Sequence, residues 1–156
     1  MGIVTGSYVY YLNTTEETSS YIPELNETPD FMVIAELYGG CMRGDVCASY
    51  RIVDDGSYTY IAPQYDEDAE RVTGKLSRTE LAELKQLVAS SDLSGILSST
   101  FGGVCPITYD GVAMKYDITI GGENYGIDTC MDDIGDDPLF SLLEEYFYTF
   151  ERVHSK

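Results

Sequence analysis

Met114, Tyr116, Ile118 and Ile120 alternate with Lys115, Asp117 and Thr119, and after Gly121-Gly122 the alternation resumes at Tyr125 and Ile127. A period of two marks a half-buried strand, and a two-residue link between two such runs folds them into an antiparallel hairpin. A second pairing stands upstream. Within residues 47–53, Ala48, Tyr50 and Ile52 share one face and Ser49 and Arg51 the other. Asp54-Asp55-Gly56 follows as a turn, because Asp-Gly tolerates the positive φ of tight hairpins, and 58–62 pairs back. Residues 31–38, rich in Val, Ile and aromatics and ended by Gly39-Gly40, add a strand, and 71–75 adds a short one.

Two helices interrupt this pattern. Over 77–89, Ser77 and Glu80 form a capping box, Leu76 and Leu81 take the positions of a hydrophobic staple, and Leu81, Leu84, Leu87 and Val88 make a buried stripe. The last helix has Asp137 as cap and Pro138 at its first position, with Leu139, Leu142, Leu143, Tyr146 and Phe150 facing the core. Residues 90–100, small and polar around Leu93, Ile96 and Leu97, read as a turn or a short helical piece. The order β-β-β-β-α-β-β-α predicts an α+β fold, one antiparallel sheet of five or six strands with two helices packed on one face. With 156 residues the chain fits a single domain, assigned to 31–156. Residues 1–30 read as an N-terminal arm: an aromatic run at 8–12 that could form a first strand, then a polar linker broken by Pro23 and Pro29. The acidic stretch 65–70 reads as solvated.

Twenty-seven acidic residues against nine basic leave a net charge of −18. Nucleic acid and anionic leaflets need clustered Lys and Arg and would be repelled, so no nucleic-acid partner is expected. No apolar run reaches the roughly 20 residues of a membrane-spanning helix, so no direct membrane insertion is expected. No basic and then apolar segment of the signal-peptide kind follows Met1, and the expectation is that any targeting segment has been trimmed. The single histidine, His154, stands among the last three residues, which removes Ser-His-Asp and Cys-His mechanisms and histidine zinc sites within the fold. No Ser-x-x-Lys or Gly-x-Ser-x-Gly occurs, and without Trp the best sugar-stacking side chain is missing. The chain is therefore expected not to be an enzyme, with a small carboxylate-based enzyme as the alternative.

Cys41, Cys47, Cys105 and Cys130 allow three pairings, and none forms a Cys-x-x-Cys redox or zinc pair. The expected bonds are Cys41–Cys47 and Cys105–Cys130, against the alternative of four reduced thiols in a cytosolic protein. Disulfides imply a secreted, periplasmic or cell-surface protein. Asn13-Thr14-Thr15 and Asn26-Glu27-Thr28 are glycosylation sequons that matter only in a source that glycosylates.

Gly40-Cys41, Cys47-Ala48-Ser49-Tyr50, the Asp55-Gly56 hairpin, Tyr58-Thr59-Tyr60, Gly74 and the Ser77-to-Leu81 helix start stand in an order that resembles an uncharacterised family of bacterial exported, lipoprotein-like α+β domains. The resemblance covers about two-thirds of the chain. It departs at the loop between the first two cysteines, which is longer, and at Ala48, where the family often has Pro. It implies export and a sheet-plus-helix fold, and no activity.

Three segments could carry function. Arg43-Gly44-Asp45, inside the ring closed by Cys41 and Cys47, resembles the recognition loop of integrin ligands, offering a guanidinium and a carboxylate across a Gly turn. Its bland counterpart is a turn that favours Gly and Asp. Asp128, Asp132, Asp133 and Asp136 could offer oxygen ligands to calcium, although the spacing is not that of an EF-hand and acids before a helix are favoured by its dipole. Calcium is the one candidate ion; no other cofactor is expected. Residues 101–107, with Gly102-Gly103 anchored by Cys105, could dock in a protease cleft as an inhibitor loop, or be a plain connection tied to Cys130. The fourteen tyrosines either form a recognition surface or pack on the sheet. The chain reads as a non-enzymatic interaction or structural module whose partner is a protein or a cell-envelope component, with protease-inhibitor-like or Arg-Gly-Asp adhesive activity as alternatives.

Overall fold

The computed structural model describes residues 29–41, 47–63 and 71–154. The run at 8–12, the Arg43-Gly44-Asp45 tripeptide and the acidic stretch at 65–70 lie outside the described residues. Phe31–Gly39 forms strand β1, apolar on both faces, with Phe31, Val33 and Ala35 buried and Met32 and Ile34 half-buried. A strand of that kind belongs in the middle of a sheet, and β1 sits there. It pairs on one side with β2 (Ser49–Val53) and on the other with β5 (Val112–Ile120). β3 (Ser57–Ile61), β4 (Arg71–Lys75) and β6 (Glu123–Asp128) complete a six-stranded sheet of order β4-β3-β2-β1-β5-β6, every pair antiparallel.

The turns carry the expected chemistry. Gly56 has φ +81 and donates its N–H to Val53 O at 2.8 Å, while Asp55 accepts from Ser57 N–H at 2.9 Å and from Lys75 Nζ at 2.8 Å. At Gly74 the Tyr58 ring crosses the partner strand so closely that an added Cβ would lie 2.4 Å from it. Here the missing side chain makes room for the ring.

Helix α1 (Arg78–Ser90) starts as its sequence says: Ser77 Oγ accepts from Glu80 N–H at 3.2 Å and Glu80 accepts from Ser77 N–H at 2.7 Å. The Ser77 hydroxyl first, and then the Ser77 N–H, hold the Glu80 carboxyl below its ordinary range. A one-turn helix α2 (Leu93–Leu97), capped by Asp92, realises the short helical piece. Helix α3 (Pro138–His154) begins with Asp137 accepting from Leu139 N–H at 2.9 Å.

α1 and α3 pack on one face of the sheet. Leu84 and Val88 from α1, with Leu139, Leu143, Phe147 and Phe150 from α3, close over Tyr50, Ile52, Tyr60 and Tyr116. Aromatic rings dominate the seam: Phe150 stacks on Tyr58 at 3.8 Å between centroids and meets Tyr50 edge-on at 5.4 Å. Tyr50 also donates to Leu143 O at 2.9 Å, so its buried hydroxyl is satisfied. Burial pushes the Tyr50 and Tyr116 phenols up, and Tyr60 and Tyr146 up to about 12. Tyr50, Tyr60, Tyr116 and Tyr146 are thus core residues. The opposite face carries Glu36, Arg51, Arg71, Lys75, Lys115 and Asp117, all exposed. There Tyr38 donates to Asp128 while Lys115 Nζ lies 4.7 Å over the Tyr38 ring and 3.9 Å from Asp128, stapling β1, β5 and β6. Burial first, then the bond and charge of Asp128, push the Tyr38 phenol up to about 12.

Candidate functional site

α3 has two flanks, and they differ. Toward α1 it is closed: Tyr146 donates to Glu80 O at 3.2 Å, and Leu84 beside it is fully buried. Toward the far ends of β1 and β5 it leaves a cleft of about 660 Å³. Leu37 of β1 and Met114 of β5 line it, with Phe147 of α3, Phe101 of the 98–111 connection and Ile134 of the 129–136 turn. Val112 at its edge is 42% exposed and Tyr148 on its α3 wall 63% exposed. Such a volume falls within the usual range of ligand sites, about 300 to 1,000 Å³.

The wall opposite α3 has little regular structure and is held by bonds. Phe101 N–H donates to Met131 O at 2.9 Å, and the Cys105–Cys130 disulfide joins the same two segments four residues further on. A 3₁₀ turn over Pro106–Tyr109 follows, closed by Gly111 N–H to Pro106 O at 2.9 Å, and Gly111 O accepts from Gly40 N–H at 2.9 Å. Thr129 is fixed to β5, its Oγ1 accepting from Met114 N–H and its own N–H donating to Met114 O, both at 3.0 Å. The Cys41–Cys47 bond forms at the end of β1 next to this wall. Both disulfides thus pair as the sequence suggested.

The carboxylates considered for calcium brace this wall. Asp128 accepts from Cys130 N–H at 2.9 Å as well as from Tyr38, Asp132 accepts from Asp128 N–H at 2.7 Å, and Asp133 accepts from Gly135 N–H at 3.0 Å. Asp136 is exposed and lines the cleft. Among the described residues no three of His, Cys, Asp or Glu gather so as to hold a metal ion. The 101–107 segment is a connection tied to Cys130, with Val104 62% exposed between its two anchors. Arg43, Gly44 and Asp45 lie in the ring whose interior is not described.

The cleft itself was not read from the sequence. Its signal, in hindsight, is Glu144, Tyr148 and Glu151, spaced i, i+4, i+7 on α3, which puts an aromatic between two acids on one face. Its floor gave no signal, because Leu37 and Met114 look like any core-facing strand residue.

What the site can do chemically is narrow. Among the described residues, its lining holds no Ser, Cys, His, Lys or Arg, and its one threonine hydroxyl, Thr129, is bonded to the β5 backbone. It offers apolar area with carboxylates at the edge. Among the described residues no helix is long and apolar enough to cross a membrane. No protein-family model matches the chain, and no curated protein is significantly similar to it.

Proposed function

We propose that this chain is a non-enzymatic interaction module of an exported protein, and that it holds a protein partner in the cleft between α3 and the disulfide-tied wall. One observation carries the reading: an apolar cleft of about 660 Å³ lies on the helix-bearing face of the sheet, where its lining would otherwise be core. Exposed apolar area of this kind marks binding surfaces in folded proteins. Two disulfides support export, since such bonds persist in oxidising compartments, and the resemblance to exported bacterial domains points the same way. Holding the loop wall in place lowers the entropy lost on binding.

The test uses Nile red, an uncharged dye that brightens in apolar sites. Val112→Trp at the cleft edge is expected to abolish most of the fluorescence gain, while Val153→Trp, on an exposed residue outside the cleft, leaves it intact. Equal brightening in both variants would remove the cleft from the account.

A further inference from the structure

We propose that the partner presents a basic peptide segment, in which one or two bulky apolar side chains enter the cleft and flanking Lys or Arg side chains meet its rim. This rests on the cleft being the binding site. Four carboxylates stand on the lining, Asp133 and Asp136 on the turn side and Glu144 and Glu151 on α3. Glu144 and Glu151 are seven residues apart, about 10 Å along the helix. That span lies between the two- and four-residue spacings, about 7 and 13 Å, of like-facing cations on an extended chain whose apolar side chains alternate with them.

The acidity is local in its arrangement as well as global. Among the described residues no basic side chain lines the cleft. Arg51, Arg71, Lys75 and Lys115 project from the opposite sheet face, and Arg78 and Lys85 lie on α1, beyond the closed flank. Arg152, one turn past Tyr148, folds back along α3, donating to Tyr148 O at 3.4 Å and Thr149 Oγ1 at 3.5 Å. An apolar floor whose described charged lining residues are all acidic selects by charge, because a carboxylate brought beside Asp133, Asp136 or Glu144 meets like charge. The chain's own first 28 residues are thereby disfavoured as occupant: they contain no Lys or Arg and carry Glu16, Glu17, Glu24 and Glu27. A second copy of a chain with net charge −18 is disfavoured in the same way.

The experiment measures fluorescence anisotropy of a labelled nine-residue peptide of alternating Lys and Leu, beside the same peptide with Glu replacing Lys. Four proteins are compared: native, Val112→Trp, the cleft pair Asp136→Asn with Glu144→Gln, and a distant pair, Glu36→Gln with Glu83→Gln, that removes the same charge. The native protein is expected to bind the Lys peptide and not the Glu peptide. The cleft pair should weaken binding roughly fivefold and the distant pair less than about twofold, as expected for partly exposed ion pairs.

If the two pairs weaken binding equally, or the Glu peptide binds as well, the charge selection is overturned while the cleft remains. If Val112→Trp leaves Lys-peptide binding unchanged, the cleft reading itself fails. A native protein that self-associates and releases its partner copy only on Val112→Trp would assign the cleft to a second copy and overturn the inference.

Discussion

On one side of α3 the sheet is roofed by α1; on the other, among the described residues, it is roofed only by a connection pinned to a turn. Both flanks rest on the same sheet and draw on the same kinds of side chain. Leu84 on the closed flank is fully buried, whereas Val112 on the open one is 42% exposed. The difference teaches that a second-layer helix makes the core, and that where none is supplied, strand residues patterned for burial become a binding surface. The closed flank needs no covalent help, being held by a capping box, stacked rings and a satisfied tyrosine. The open flank has a disulfide and a network of turn hydrogen bonds where it lacks packing.

The largest effects should separate the flanks by mutation. Leu84→Ala, which leaves a cavity under α1, is expected to cost about 3 kcal/mol in denaturant unfolding. Val112→Ala, on the open flank, should change stability by less than about 0.5 kcal/mol. Equal losses would mean that both flanks are core. Replacing Cys105 and Cys130 together by Ser opens a link of sequence separation 25 and is expected to cost about 3 kcal/mol, read as a lower melting temperature. The same change should diminish Nile red uptake, while the unfolding of α1, followed by hydrogen exchange, tracks only the global loss.

Alkaline titration sharpens the closed side. Tyr50 and Tyr116, raised by burial, stay neutral in the fold at pH values where the unfolded chain begins to ionise near pH 10. A raised folded pKa gives stability that is whole below pH 10 and is lost as pH climbs beyond it. Each such tyrosine adds a slope of about 1.4 kcal/mol per pH unit, so unfolding should steepen sharply between pH 10 and 12. A flat stability profile in that window would contradict the packing of the seam. A smaller loss belongs to the α1 start. Ser77→Ala should cost about 1 kcal/mol. Because the Glu80 carboxyl is held low, its share of stability is present above its unfolded pKa and fades as pH falls through the folded value.

Local chemistry was legible in the sequence wherever it is self-contained. Ser77 with Glu80, Asp55-Gly56 and Asp137-Pro138 specify caps and turns from a few adjacent residues, and the alternation at 114–127 specifies a hairpin. Long-range arrangement was less legible. The stripe read on α3 omitted Phe140 and Phe147, both buried, and included Leu142, which is only half-buried. α3 lies centrally on the sheet and buries a wider arc than a simple stripe, with Phe140 meeting Tyr116 and Phe147 meeting Tyr50 and Tyr60. Thr119, read as facing outward, is buried on the open sheet face, where its hydroxyl accepts from Asn124 at 3.1 Å. The cleft was invisible for a similar reason. Leu37 and Met114 have the pattern of core residues, and their partial exposure depends on what does not cover them.

The most direct measurement is an amide NMR titration of the native protein with the Lys-Leu peptide. Shifts confined to Phe101, Ala113, Ile134, Glu144 and their neighbours, with Leu84 and Val88 unmoved, are the predicted result. Shifts spread over the opposite sheet face, or none at saturating peptide, would contradict the account.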